Sequence, residues 1–247
     1  MEDRQNIQGY SVDLKTLAEA SDYIKQKMSD NSAIQVVTVN PEMIELANKN
    51  KDFSDILKNA DLIVPDGVGI KIALKLKGIN QEQVRGIDLA KKSLEICANN
   101  GYKAALIGAK PHVIENAVNN LKAEYTNLNI AYYKDGYFST DDEQNIINSL
   151  KEISPNLVLV ALGAPKQELF IQKCLKEVSS VYIGVGGSFD VWAGEVERAP
   201  EIFQKTGFEW LYRTISQPQR FKRIYKTLPL FLFKAIIEAL RDRFKWK

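Results

Sequence analysis

Six short apolar runs, separated by stretches of helical spacing, constrain this 247-residue chain more than any other feature. They fall at Ile34–Val39, Asp61–Pro65, Lys103–Gly108, Ile130–Lys134, Asn156–Leu162 and Val181–Val185. Their near-continuous aliphatic character marks strands covered on both faces. Helix-period stretches lie between and around them, at Pro41–Asn50, Phe53–Ala60, Gly67–Lys77, Asp88–Asn100, Pro111–Tyr125, Asp141–Ile153 and Pro165–Val178. Several open on proline or an acid, and Asn100-Gly101 closes one of them. The alternation predicts an α/β fold, a Rossmann-like and mostly parallel sheet with helices on both faces. No internal repeat or long linker interrupts it, so residues 1–204 are predicted to form one domain.

The last 43 residues read differently. Residues 205–247 hold eleven lysines and arginines against three acids, a charge of +8. The first 204 hold 22 basic and 28 acidic residues, a charge of −6, so the net +2 hides an acidic body and a basic tail. From Arg220 the apolar positions Phe221, Ile224, Tyr225, Leu228, Phe231, Leu232, Ala235, Ile236, Ala239, Leu240 and Phe244 recur every three or four residues. That spacing predicts an amphipathic helix with one apolar stripe, kinked or divided at Pro229. Such a helix could dock on its own domain or lie on an anionic membrane surface.

Several classes are excluded or disfavoured. Cys97 and Cys174 are too few for a disulfide scaffold and are expected as buried thiols. His112 is the only histidine, which leaves no histidine-based metal cluster, and none of the fourteen aspartates forms an Asp-x-Asp pair. No apolar run approaches the roughly 20 residues of a membrane span. The opening MEDRQNIQGY has no apolar segment, so a cytoplasmic chain is expected. Nucleic acid is a poor partner, because the basic residues share a helix with an apolar face.

In open α/β sheets ligands collect at the carboxyl ends of the strands, and four such ends carry polar or glycine-rich motifs. Thr38-Val-Asn40-Pro41 runs a strand into a helix; Asn40 suits a helix cap, and Thr38 points the same way. Pro65-Asp66-Gly67-Val68-Gly69 places an acid at a strand end, as a helix cap or as a general base. In Ala161-Leu-Gly163-Ala164-Pro165-Lys166-Gln167-Glu168, a glycine permits close backbone approach, and the following helix offers N–H groups to an anion. Gly184-Val-Gly186-Gly187-Ser188-Phe189-Asp190 suits a nucleotide seat, with N–H groups for phosphate and a carboxylate for ribose or base. Neither glycine loop completes a dinucleotide fingerprint, since Ile72 and Phe189 occupy the third-glycine positions, and neither is a Walker loop. A dinucleotide-dependent oxidoreductase is therefore disfavoured.

Together with Arg198-Ala-Pro200 and Glu209-Trp-Leu-Tyr-Arg213, these motifs stand in the order found in the WecG/TagA/CpsF glycosyltransferases. The chain resembles that family, most closely its TagA-like branch, over about residues 10–225, with Phe170 where many members have tryptophan. The resemblance implies transfer of N-acetylmannosamine from a UDP donor to undecaprenyl-diphosphate-linked N-acetylglucosamine. It further implies a β-1,4 linkage, inversion, no metal and no cofactor, in wall teichoic acid linkage-unit synthesis. Asp66 matches the base, and Thr38, Asn40, Arg85 and Gln167 match polar positions lining the sugar pocket. Gly67, Gly136, Tyr137, Gly163, Ala164, Lys166, Gly186, Gly187 and Asp190 are the expected UDP-sugar contacts. Arg213, Arg220 and Arg223 match tail arginines that meet the diphosphate, with binding of phospholipid headgroups as the alternative.

Residues 205–247 are accordingly expected to complete the active site and to contact the inner face of the cytoplasmic membrane peripherally; self-association is compatible with the sequence. Two further readings stay open. A related transferase could use UDP-N-acetylmannosaminuronic acid or UDP-glucose, and a non-catalytic membrane-bound scaffold could bind the nucleotide without releasing it.

Overall fold

The structure is a computed structural model that describes residues 4–200, Phe203, Tyr212 and 218–245, with side chains of the last segment described over 225–243. All six anticipated strands are present: β3 (Ile34–Val39), β4 (Leu62–Pro65), β5 (Lys103–Gly108), β6 (Asn129–Lys134), β7 (Leu157–Ala161) and β8 (Val181–Gly184). They form one sheet in the order β4-β3-β8-β7-β5-β6, and every neighbouring pair is parallel. Two short strands precede them, β1 (Arg4–Ile7) and β2 (Tyr10–Asp13), paired as a separate antiparallel hairpin.

Strand residues alternate between two helical layers, as the pleat requires. Val36, Leu106, Leu159 and Ile183 face α1 (Leu17–Ser29), α5 (Gly86–Asn100), α6 (Pro111–Glu124) and α9 (Ser188–Trp192). On the opposite face, Val37, Val39 and Ile63 pack with α2 (Pro41–Ala47), α3 (Lys51–Asn59) and α4 (Val68–Leu76). Beside them Ile107, Val158 and Val160 pack with α7 (Thr140–Ile153) and α8 (Lys166–Leu175). Both cysteines are buried in these layers, and burial raises each thiol pKa to about 12.

The hairpin manages an exposed sheet edge. The Asp13 carboxylate accepts from the Ile63 N–H at 2.7 Å and from Arg4 Nε at 2.7 Å, so β4 has part of its free edge occupied by a side chain. The turn Gln8-Gly9 has positive φ at both residues, 52° and 92°, which matches the right-handed strand twist.

The C-terminal helix, α10 (Pro218–Lys245), runs 28 residues through Pro229, which does not divide it. Pro229 sits on the exposed side, while Phe231 and Ala235, buried with the α2–α4 layer, hold the helix against the body. Its polar contacts are equally specific. Lys234 Nζ lies 2.7 and 2.8 Å from the Glu45 carboxylate, which is almost fully buried. Lys77 pairs with Asp242 at 2.6 Å and Glu238 at 3.1 Å, and Gln8 Nε2 donates to the Phe231 carbonyl at 2.9 Å. The described apolar residues of the helix therefore form two rows, and the outward one takes in Leu230 and Phe233 from outside the expected stripe. Phe231, Ala235 and Ala239 are buried, whereas Tyr225 (66% exposed), Leu230, Phe233 (62%), Ile236 and Leu240 face outward.

Candidate active site

The motif-bearing ends of β3, β4, β7 and β8 meet along the carboxyl edge of the sheet, and Asp66 stands at the head of β4. Its N–H donates to the Val39 carbonyl at 2.8 Å, continuing the β3–β4 pairing by one residue. Gly67 then turns the chain with φ +79° and caps α4 without a side chain. Asp66 thus does not cap the helix that follows it. Its Oδ1 instead accepts from Gln83 Nε2 at 2.9 Å, and Oδ2 from the Gly86 N–H at 3.3 Å. Two donors from one segment fix the plane of the carboxylate at the sheet edge.

This arrangement depends on where α5 begins. The helix starts at Gly86, two residues before the expected Asp88, and Arg85 is its N-cap. A Cβ on Gly86 would lie 2.7 Å from Thr38 Oγ1, so only glycine lets this helix end rest on β3. Thr38 is buried beneath it, while Arg85 reaches Asp88 through Nη1 at 3.5 Å. The second Asp88 oxygen receives Arg198 Nη2, which draws the Arg-Ala-Pro motif onto the same helix end. Asn40 caps α2, its Oδ1 accepting from the Met43 N–H at 3.0 Å, which leaves Nδ2 as the group able to donate to a ligand. Thr38, Asn40, Asp66, Gly67 and Arg85 therefore share one corner. Gln83 and Asp88 belong to it too; Asp88 was legible only as a helix-opening acid, and Gln83 gave no signal.

The second corner is built from glycines. Gly163 and Gly186 have φ of +75° and +49°, and no described residue lies within 4 Å of a Cβ on either. Gln167 joins them: its Oε1 accepts from the Gly163 and Gly186 N–H groups, each at 3.2 Å. Expected to line the sugar pocket, Gln167 is buried here and binds two loops together. Its own N–H is spent on the Gly163 carbonyl at 3.0 Å, so it is not among the free donors of the α8 first turn. Ala164, just before the helix, and Lys166 in its first turn are exposed. Beneath it, Glu168 is 1% exposed, and burial lifts its pKa to about 7 despite the opposing hydrogen bond from Gln167.

Gly136 and Tyr137 extend this corner. The Gly136 N–H donates to the Ala109 carbonyl at 2.8 Å, and a Cβ there would lie 2.9 Å from Leu162 Cδ2, so the β6 loop rests on the loop after β7. Tyr137 is 71% exposed. Here β5 leads outward to β6 while β7 leads the other way to β8, a topological switch point of the kind that opens a crevice for a nucleotide. Gly187 caps α9, and Asp190 is half-buried on it. Arg213 lies outside the described residues, as do the side chains of Arg220 and Arg223. The backbone of the last two is placed by the run of α10. A Cβ on Gly69 at the start of α4 would meet Leu228, whereas Lys77 at its end meets Asp242. The first turns of α10 therefore extend toward the edge that carries Asp66.

A family profile described as glycosyl transferase WecG/TagA/CpsF family matches residues 5–245. The chain belongs to the WecG/TagA/CpsF glycosyltransferases. Among similar members is the N-acetylglucosaminyldiphosphoundecaprenol N-acetyl-beta-D-mannosaminyltransferase of Bacillus subtilis (strain 168), 37% identical over 206 residues, which are 82% of this chain and 80% of the relative. The protein of the same name from Staphylococcus aureus (strain MW2) is 33% identical over 243 residues, 95% of this chain and 94% of its own. As a WecG/TagA/CpsF member the chain is a glycosyltransferase. No helix among its described residues is long and apolar enough to cross a membrane.

Proposed function

We propose that this glycosyltransferase moves N-acetylmannosamine from its UDP donor to undecaprenyl-diphosphate-linked N-acetylglucosamine, forming the β-1,4 disaccharide of a wall teichoic acid linkage unit. The observation that carries the reading is the Asp66 carboxylate, anchored by Gln83 and Gly86 at the sheet edge beside Arg85. In one displacement, Asp66 takes the proton of the acceptor hydroxyl as its oxygen bonds to the anomeric carbon. The bond from that carbon to the diphosphate breaks on the opposite side, and the configuration inverts. General-base assistance of this kind contributes about 10²–10⁴-fold.

The leaving UDP carries the charge, and no metal is needed where fixed donors and cations receive it. The Gly163 and Gly186 loops, with Gly187 and Asp190, form the nucleotide side of the site. Arg213, Arg220 and Arg223 meet the diphosphate from the C-terminal appendage, residues 205–247. The outward row Tyr225, Leu230, Phe233, Ile236 and Leu240, flanked by exposed Lys226, Arg241 and Arg243, suits peripheral adsorption to an anionic bilayer holding the acceptor. A donor panel with a lipid-diphosphate GlcNAc acceptor tests the assignment. UDP release is expected from UDP-N-acetylmannosamine well above UDP-N-acetylmannosaminuronic acid and UDP-glucose. Preference for either of the others would overturn the donor.

A further inference from the structure

Gln167 holds two N–H groups from two different crossovers on one oxygen, which requires its amide to stand in one orientation. Turned over, the side chain would present N–H donors to N–H donors. On its other side the amide is held in that orientation by Nε2 donating to Glu168 Oε1 at 2.8 Å. Space for the pair is left by Gly184, where a Cβ would lie 2.4 Å from Gln167 Nε2 and 3.2 Å from Glu168 Oε1. The other Glu168 oxygen, Oε2, is buried and meets no hydrogen-bond partner among the described residues. A buried carboxyl half without a partner is unfavourable for folding. Its one side-chain partner is the residue that ties the two glycine loops.

We propose that Glu168 is a positioning residue of the donor site, acting through Gln167 to set the spacing between the Gly163 and Gly186 N–H groups. The inference rests on the reading that these loops receive the donor diphosphate. Ionised or neutral, the carboxyl keeps Oε1 as an acceptor, because a proton is best placed on the unpartnered Oε2. The requirement is therefore for an acceptor at this point rather than for a charge.

The test uses the full chain with Glu168→Met, Glu168→Gln, Glu168→Asp, Gln167→Met and the double variant Gln167→Met/Glu168→Met. Donor KM, kcat and Tm are read for each. Glu168→Met should raise the donor KM about tenfold, roughly one lost hydrogen bond, with Tm within a few degrees of wild type, since a buried polar group is removed. Glu168→Gln, which still offers a carbonyl oxygen, should recover most of that loss. The double variant should be no worse than Gln167→Met alone, the non-additivity of residues acting as one unit.

A wild-type KM in Glu168→Met, or losses that add to those of Gln167→Met, would overturn the proposal. If Glu168→Met does not fold, Glu168→Asp carries the test, because it keeps the acid and withdraws it by one methylene. It should raise KM and speed amide hydrogen exchange at Gly163 and Gly186 without ligand; wild-type values of both would contradict the role. That exchange reads the brace even if the donor is another nucleotide, whereas failure of wild-type protein to bind any UDP-sugar overturns only the donor reading.

Discussion

Asp66 and Glu168 are both carboxylic acids near the same sheet edge, and their surroundings give them different work. Asp66 is half-exposed, with a donor on each oxygen, and can face a substrate. Glu168 is sealed beneath the α8 first turn, where burial raises its pKa from 4.5 to about 7. Between those values the folded chain holds a proton that the unfolded chain has released, so stability falls as pH rises through the window. Glu168→Gln cannot ionise. It is expected to exceed wild type in stability at pH 8 by on the order of 3 kcal/mol, with the gap closing below about pH 4.5. Denaturation at both pH values checks this, and a gap independent of pH would contradict it. Gly86 makes a second residue-scale case. Gly86→Ala should destabilise by about 1–3 kcal/mol through contact with Thr38, and should cost less in a Thr38→Ala background, where the hydroxyl is gone. Equal costs in both backgrounds would show that the close approach to Thr38 is unimportant.

At the scale of elements, α10 carries two apolar rows with separate duties, and substitutions should separate them. Phe231 is fully buried against the α2–α4 layer, so Phe231→Ala should cost about 3–5 kcal/mol in unfolding experiments. Phe233→Ser lies on the outward row and should leave Tm within about 2 °C, since surface changes seldom exceed 0.5 kcal/mol, while weakening sedimentation with vesicles rich in anionic lipid. Unchanged vesicle binding would remove the outward row from the membrane contact. Deleting the tail near Thr206 is a poor probe of the site, because it would strip Phe231 and Ala235 from the apolar layer they share with α2–α4. Arg220→Gln and Arg223→Gln address the diphosphate while keeping Phe231 and Ala235 in the chain.

For the molecule as a whole, the parallel sheet was legible because each of its strands is a local apolar run. Val36 and Val37, or Leu159 and Val160, are hydrophobic whichever face they serve. The hairpin was not legible: β1 is largely polar, and its turn uses Gln8-Gly9 rather than Asn-Gly. Helix α1 also passed unread, although Thr16 and Glu19 form a capping box at its start. The motifs located the site edge, but not which loops oppose one another there. Gly86 over Thr38 and Gln167 across Gly163 and Gly186 join positions up to 48 residues apart, and pairings of that kind arise only on folding. Division of the α10 apolar residues into buried and outward rows likewise depends on the surface that α10 meets.

The central claim is that Asp66 activates the acceptor hydroxyl for a sugar transfer, and Asp66→Asn tests it most directly. The measurement is disaccharide formation from UDP-N-acetylmannosamine and a lipid-diphosphate GlcNAc acceptor, alongside UDP binding by calorimetry. The account predicts turnover reduced by about 10² or more with UDP affinity within a few-fold of wild type. Turnover close to wild type in Asp66→Asn would contradict it, and would leave Asp66 as no more than an anchor for the start of α5.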